Sequence, residues 1–109
     1  MIRVDAILDE EGILRNLEIR GHSSYKKRND IVCASVSILS QTFLLSLESV
    51  PEIDFDFDDD GDLFKIVVND WNKIFLSELR GISLFLTIGL EAVKKEYKNI
   101  VILNVNKGA

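Results

Sequence analysis

Residues 53–68 read IDFDFDDDGDLFKIVV, and whether they form a hairpin or an ion-binding loop decides the fold. Asp56, Asp58, Asp60 and Gly61 match the first, third, fifth and sixth positions of a calcium-binding EF-hand loop. The twelfth position falls on Val67, where that loop needs a bidentate Glu. The flanks also alternate, with Ile53, Phe55 and Phe57 before the DDGD turn and Phe64, Ile66 and Val68 after it. A period of two places apolar side chains on one face of a pleated strand, so the stretch reads as a β-hairpin with an acidic tip. The tip is then a solvated turn or a docking surface for a basic partner.

Working outward, the N-terminus repeats the pattern. Ile2, Val4, Ala6 and Leu8 alternate with Arg3 and Asp5, and Ile7 breaks the period near the end. After the turn signal Asp9–Gly12, the segment Ile13–Arg20 gives a second strand. Between the hairpins an apolar-rich segment runs from Asp30 to about Val50 and ends before Pro51, with Val32, Val36, Leu39, Phe43 and Leu47 at helical spacing. A second helix is expected from about Asn72 to Tyr97, and a last strand over Ile100–Val105. The order strand-strand-helix-strand-strand-helix-strand predicts a single α+β domain over residues 1–109. Its form is two-layer, a mainly antiparallel sheet with two helices on one face.

The chain has 109 residues, is 47% hydrophobic and carries a formal net charge of −5. That charge argues against direct nucleic-acid binding and for a basic protein partner. The run Ile74–Val93 has about the length of a bilayer span, yet Glu78, Arg80 and Glu91 interrupt it, so a buried helix and no membrane role are expected. That helix is apolar nearly all round, which predicts burial on more than one side and contact with a second subunit. Nothing resembles a secretory signal, and a single Cys excludes an internal disulfide, so a cytoplasmic setting is expected.

The chemistry concentrates in residues 21–37, GHSSYKKRNDIVCASVS, which hold the only His and the only Cys. Asp30 stands where a helix N-cap is expected, and Cys33 then falls in the first turn, where unpaired backbone N–H groups favour a thiolate. His22 follows the second strand and is the candidate base for a Cys33 nucleophile, giving acyl-transfer chemistry with the first-turn N–H groups facing the oxyanion. Asp30 either caps the helix or orients His22. The segment Ser23, Ser24, Tyr25, Lys26, Lys27, Arg28 and Asn29 is a loop, either a solvated surface segment or a substrate flap beside the cysteine. One His and one Cys are too few ligands for zinc and there is no Gly-rich phosphate loop, so neither metal nor cofactor is expected. A lone Cys in a helix is otherwise a small buried hydrophobe.

Gly21-His22 followed by Asp30-Ile31-Val32-Cys33-Ala34 and then Val36-Ser37 resembles the signature of the bacterial ribosomal-processing cysteine proteases. The resemblance extends over most of the chain and implies a homodimeric α+β cysteine endopeptidase. Such an enzyme removes a short N-terminal extension from large-subunit ribosomal protein twenty-seven, cutting after a pair of phenylalanines. It carries the catalytic roles onto His22 and Cys33, with the dimer expected through the 72–97 helix. The loop departs from the family pattern: Ser23 stands where many members have Ala, and no Gly lies between His22 and Cys33. The alternative to an enzyme is a ribosome-assembly module that binds the ribosomal protein without cutting it.

Overall fold

A computed structural model describes the backbone of residues 1–21 and 30–108. Five strands form one sheet: β1 (Ile2–Leu8), β2 (Leu14–Arg20), β3 (Asp54–Asp59), β4 (Leu63–Asp70) and β5 (Val101–Lys107). The helices are α1 (Asp30–Ser49) and α2 (Leu76–Glu96), the latter preceded by a 3-10 turn at Lys73–Phe75. The sheet order is β3-β4-β2-β1-β5, antiparallel except for the β1–β5 pair.

The connections explain why both helices share a face. α1 carries the chain from β2 over β4 to the parallel strand β3, and α2 carries it from β4 over β2 and β1 to β5. β2 and β4 point in opposite directions, and the two crossovers run in opposite directions across the sheet. The same preferred hand therefore puts both helices on the same side. The strand alternation agrees. Ile2, Val4, Ala6, Leu17, Ile19, Phe64, Ile66 and Val68 are buried under the helices. On the opposite, wet face Arg3 pairs with Asp5 at 3.0 Å and Arg20 with Glu18 at 3.2 Å.

The break at Ile7 has a structural cause, a register shift between Ile7 and Leu8 where β1 meets β2. The turn that follows is held by Asp9, whose Oδ1 accepts from the N–H groups of Glu11 (2.9 Å) and Ile13 (3.0 Å). The N–H of Leu14 turns inward and donates to Ser83 Oγ on α2 at 2.9 Å, in a site where Ser83 is 1% exposed. Replacing Ser83 by Ala strands that buried N–H, so a loss of about 1–3 kcal/mol is expected in denaturant unfolding.

Within the chain α2 buries one face, where its apolar run predicts burial on more than one side. Leu79, Ser83, Leu86, Thr87 and Leu90 are buried, while Leu84, Phe85 and Ile88, and Ile74 in the preceding turn, are exposed. Ser83 and Thr87 fit inside because each hydroxyl has a partner, Thr87 Oγ1 donating to the Ser83 carbonyl at 3.1 Å. α1 buries Val32, Val36, Phe43 and Leu47 as expected. Over Ile31–Ser49 it, rather than the 74–93 run, has the length and mean hydropathy of a membrane span; one third of that window is buried in the fold.

Candidate active site

The site begins where β2 ends. Arg20 pairs with Leu63 across the sheet, and the chain then turns at Gly21, whose φ is +82°. A Cβ on Gly21 would lie 2.5 Å from the Met1 carbonyl oxygen, so only glycine lets the chain leave β2 here. The neighbouring N-terminal backbone is fixed in turn, because the Ile2 N–H donates to the Ile100 carbonyl at 2.8 Å and Ile2 is fully buried.

On the other side of the site α1 starts at Asp30, which puts Cys33 in its first turn as expected from sequence. Only residues 50–53 separate the end of α1 from the start of β3. α1 therefore runs back along β3, and its first turn lies toward the sheet end that carries Gly21 and the β3–β4 turn. Val32 and Val36 are buried on the sheet side of α1 and anchor that turn. Cys33 is 8% exposed and belongs to the margin of the same apolar cluster. Its place in the first turn sets it at the positive end of the helix dipole, where a thiolate and an oxyanion are both stabilised.

His22 and the segment Ser23–Asn29 lie outside the described residues, as does the Asp30 side chain. The fold brings the attachment points of the pair, Gly21 and the first turn of α1, to one end of the sheet.

The acidic hairpin sits at this end as well. Asp60 Oδ1 accepts from the N–H groups of Leu63 and Asp62, both at 2.9 Å, and Asp59 Oδ1 accepts from the Gly61 N–H at 3.0 Å. The backbone N–H groups on Asp60, that of Leu63 foremost, hold its carboxyl below the usual carboxylate range, with a smaller contribution from the charge of Arg20. The carboxylates thus serve their own turn between two strands. No three His, Cys, Asp or Glu among the described residues come together to hold a metal.

The sequence pattern of the cysteine protease Prp family matches residues 1–102. The chain belongs to that family. Solved structures agree over nearly the whole length. SMU.848 from Streptococcus mutans is 25% identical, with 99% of each chain covered and a TM-score of 0.81. The ribosomal processing protease Prp from S. aureus in complex with a substrate peptide is 26% identical, covering 97% of this chain and 100% of that one, with a TM-score of 0.79. The same S. aureus protease with a covalently linked product peptide is 28% identical at the same coverage, with a TM-score of 0.74. No curated protein matches significantly. Family membership makes this chain a cysteine protease, a hydrolase, and Cys33 is the only cysteine it has.

Proposed function

We propose that this protease removes a short N-terminal extension from a basic large-subunit ribosomal protein, ribosomal protein twenty-seven, with Cys33 as nucleophile and His22 as base. The observation that carries the reading is the place of the sole cysteine, in the first turn of a helix anchored on a sheet. The S. aureus relative, a ribosomal processing protease seen with substrate and product peptides, supports the substrate class. The net charge of −5 suits a basic substrate, and ribosome maturation puts the work in the cytoplasm.

In this reading His22 takes the thiol proton and Cys33 Sγ attacks the scissile carbonyl carbon. The first-turn N–H groups of α1 donate to the oxyanion. As the tetrahedral intermediate collapses, the C–N bond breaks and His22 returns the proton to the leaving amine. Water, deprotonated by His22, then attacks the thioester carbon; the C–S bond breaks and the thiol is restored. Asp30 caps α1 or orients His22, and the segment Ser23–Asn29 is the candidate substrate flap beside Cys33. The test is mass spectrometry of the ribosomal protein precursor after incubation with the enzyme. Loss of the extension is the expected result, and a precursor that is bound but left intact rejects it as the substrate.

The reading includes a homodimer through the 72–97 helix, and Gly81 of α2 supports it. A Cβ on Gly89 would come within 2.8 Å of the Leu39 side chain, so packing against α1 accounts for that glycine. At Gly81 a Cβ would meet nothing within 4 Å. Gly81 instead borders a groove of about 570 Å³ between the helices, lined also by Ile38, Thr42 and Phe85, the last 70% exposed. Ile31, Ile38 and Leu45, seven apart on α1 and each 64% exposed, extend the apolar face, and Leu84 and Ile88 complete it. With roughly 150–250 Å² in a large aromatic side chain and somewhat less in an aliphatic one, these residues present on the order of 600 Å². That approaches the ~800 Å² per partner of a standard interface. Sedimentation velocity at micromolar concentration is expected to give a dimer for the wild type and a monomer for Leu84→Lys/Phe85→Lys. A wild-type monomer rejects the dimer.

A further inference from the structure

Strand β3 has an open outer side. In the order β3-β4-β2-β1-β5 it is an edge strand, and no described strand pairs with it beyond β4. Its N–H and C=O groups on that side form a template for one more strand. The two faces beside this edge differ sharply in chemistry. Asp56 and Asp58 lie opposite Val67 and Lys65 on the wet face, and Phe57 lies opposite Ile66 on the helix side. Phe57 is 44% exposed, although its ring meets Phe64 edge-on with centroids 5.2 Å apart.

Three further features fit a ligand strand. A depression of about 220 Å³ opens on the wet face, with Asp56, Asp58, Lys65 and Val67 in its lining. A Lys or Arg stem could lie over Val67 there with its charge at the carboxylates. Asp56 is oriented by Asn69 Nδ2, which donates to its Oδ2 at 3.0 Å. The three ion pairs among the described residues all lie elsewhere, so no described cation stands at ion-pair distance from Asp56 or Asp58. Four of the six residues of β3 are Asp, so a second copy of the same edge would be repelled. A cationic peptide is attracted.

We propose that the peptide substrate adds to β3 as a sixth strand, its cationic side chains directed to Asp56 and Asp58 and the alternating apolar ones to Phe57. The proposal rests on the protease reading for the identity of the peptide. It also relates the peptide to Cys33. β3 runs toward the β3–β4 turn, the sheet end where Arg20 pairs with Leu63 and to which the first turn of α1 returns. A strand laid along this edge is thereby aimed at the end of the molecule that carries Cys33. Backbone pairing supplies affinity, and the period-two match of charge and apolar surface supplies specificity.

The probe is a fluorescein-labelled nonapeptide of alternating Lys and Leu, read by anisotropy. Binding to Asp56→Lys/Asp58→Lys is expected to be about tenfold weaker than to the wild type, in keeping with two reversed surface charges. A Glu-Leu peptide is expected to prefer the variant. N-methylation of alternate peptide amides, which removes strand pairing and keeps the charge, is expected to weaken wild-type binding by about tenfold. Because Asp56 and Asp58 are exposed, a thermal melt that matches wild type shows that the variant folds. Equal binding of the Lys-Leu peptide to wild type and folded variant, or indifference to N-methylation, overturns the proposal and leaves the acidic edge as protection against aggregation. Binding is read apart from cleavage. Lys-Leu binding with both effects, beside an uncut ribosomal precursor, upholds the edge and rejects the protease substrate.

Discussion

Replacement of Cys33 by Ala is expected to lower single-turnover cleavage of the ribosomal precursor by about 10⁴-fold or more, because no other thiol exists to form the acyl-enzyme. The fold should survive. Cys33 sits at the margin of the core, and the change removes one sulfur atom, so a melt shifted by only a few degrees is the expected control. His22→Ala should cost a comparable factor, and the double variant little more than either single one, since the two groups act as a unit. A Cys33→Ala chain that cleaves at the wild-type rate would reject the nucleophile assignment.

Gly21→Ala is the second large effect, and it acts through the backbone. The new Cβ would stand 2.5 Å from the Met1 carbonyl oxygen, at a φ of +82°. Met1 cannot give way cheaply, because the next residue is fully buried and hydrogen-bonded to Ile100. The left-handed conformation costs an L-residue about 1–2 kcal/mol, and the clash brings the expected loss to roughly 2–4 kcal/mol. For a chain of this size that corresponds to a melting temperature lower by more than about 10 °C. Gly61 supplies the control. Its φ is +95° but nothing lies within 4 Å of a Cβ there, so Gly61→Ala should show the conformational cost alone, about 1–2 kcal/mol. Cleavage by Gly21→Ala should fall even at temperatures where the variant is folded, since the displaced backbone leads directly into His22. Equal melting temperatures for the two variants would reject the close approach at Met1.

Much of this was legible from residue order. The period-two runs at Ile2–Leu8 and Ile53–Val68 determined two hairpins, because alternation has one way to bury its apolar half. Asp30 and the helical spacing of Val32, Val36, Phe43 and Leu47 determined a helix with Cys33 in its first turn. The resemblance carried by GH and DIVCA pointed to a cysteine protease, and the family match bears that out. The inner face of α2 was less legible. A period-3.6 reading ranks residues by hydrophobicity, and Ser83 is buried for a hydrogen bond to Leu14, 69 residues away in the chain.

What only the tertiary structure decided depends on strand order and close approach, which no local pattern encodes. The sequence by itself determined the elements, the side of each strand that faces inward and the candidate pair His22 and Cys33. Packing decided that β5 lies parallel to β1, that Gly89 answers to Leu39 while Gly81 borders an open groove, and that Gly21 must have no side chain because Met1 passes beside it. It also decided that β3 is an edge. The DFDFDD run reads as one arm of a hairpin with an acidic tip, and in the sheet order no described strand pairs with it on the side away from β4. Alternation specifies which face of a strand is wet; which strand ends a sheet is specified by the crossovers, whose hand and span are properties of the whole chain.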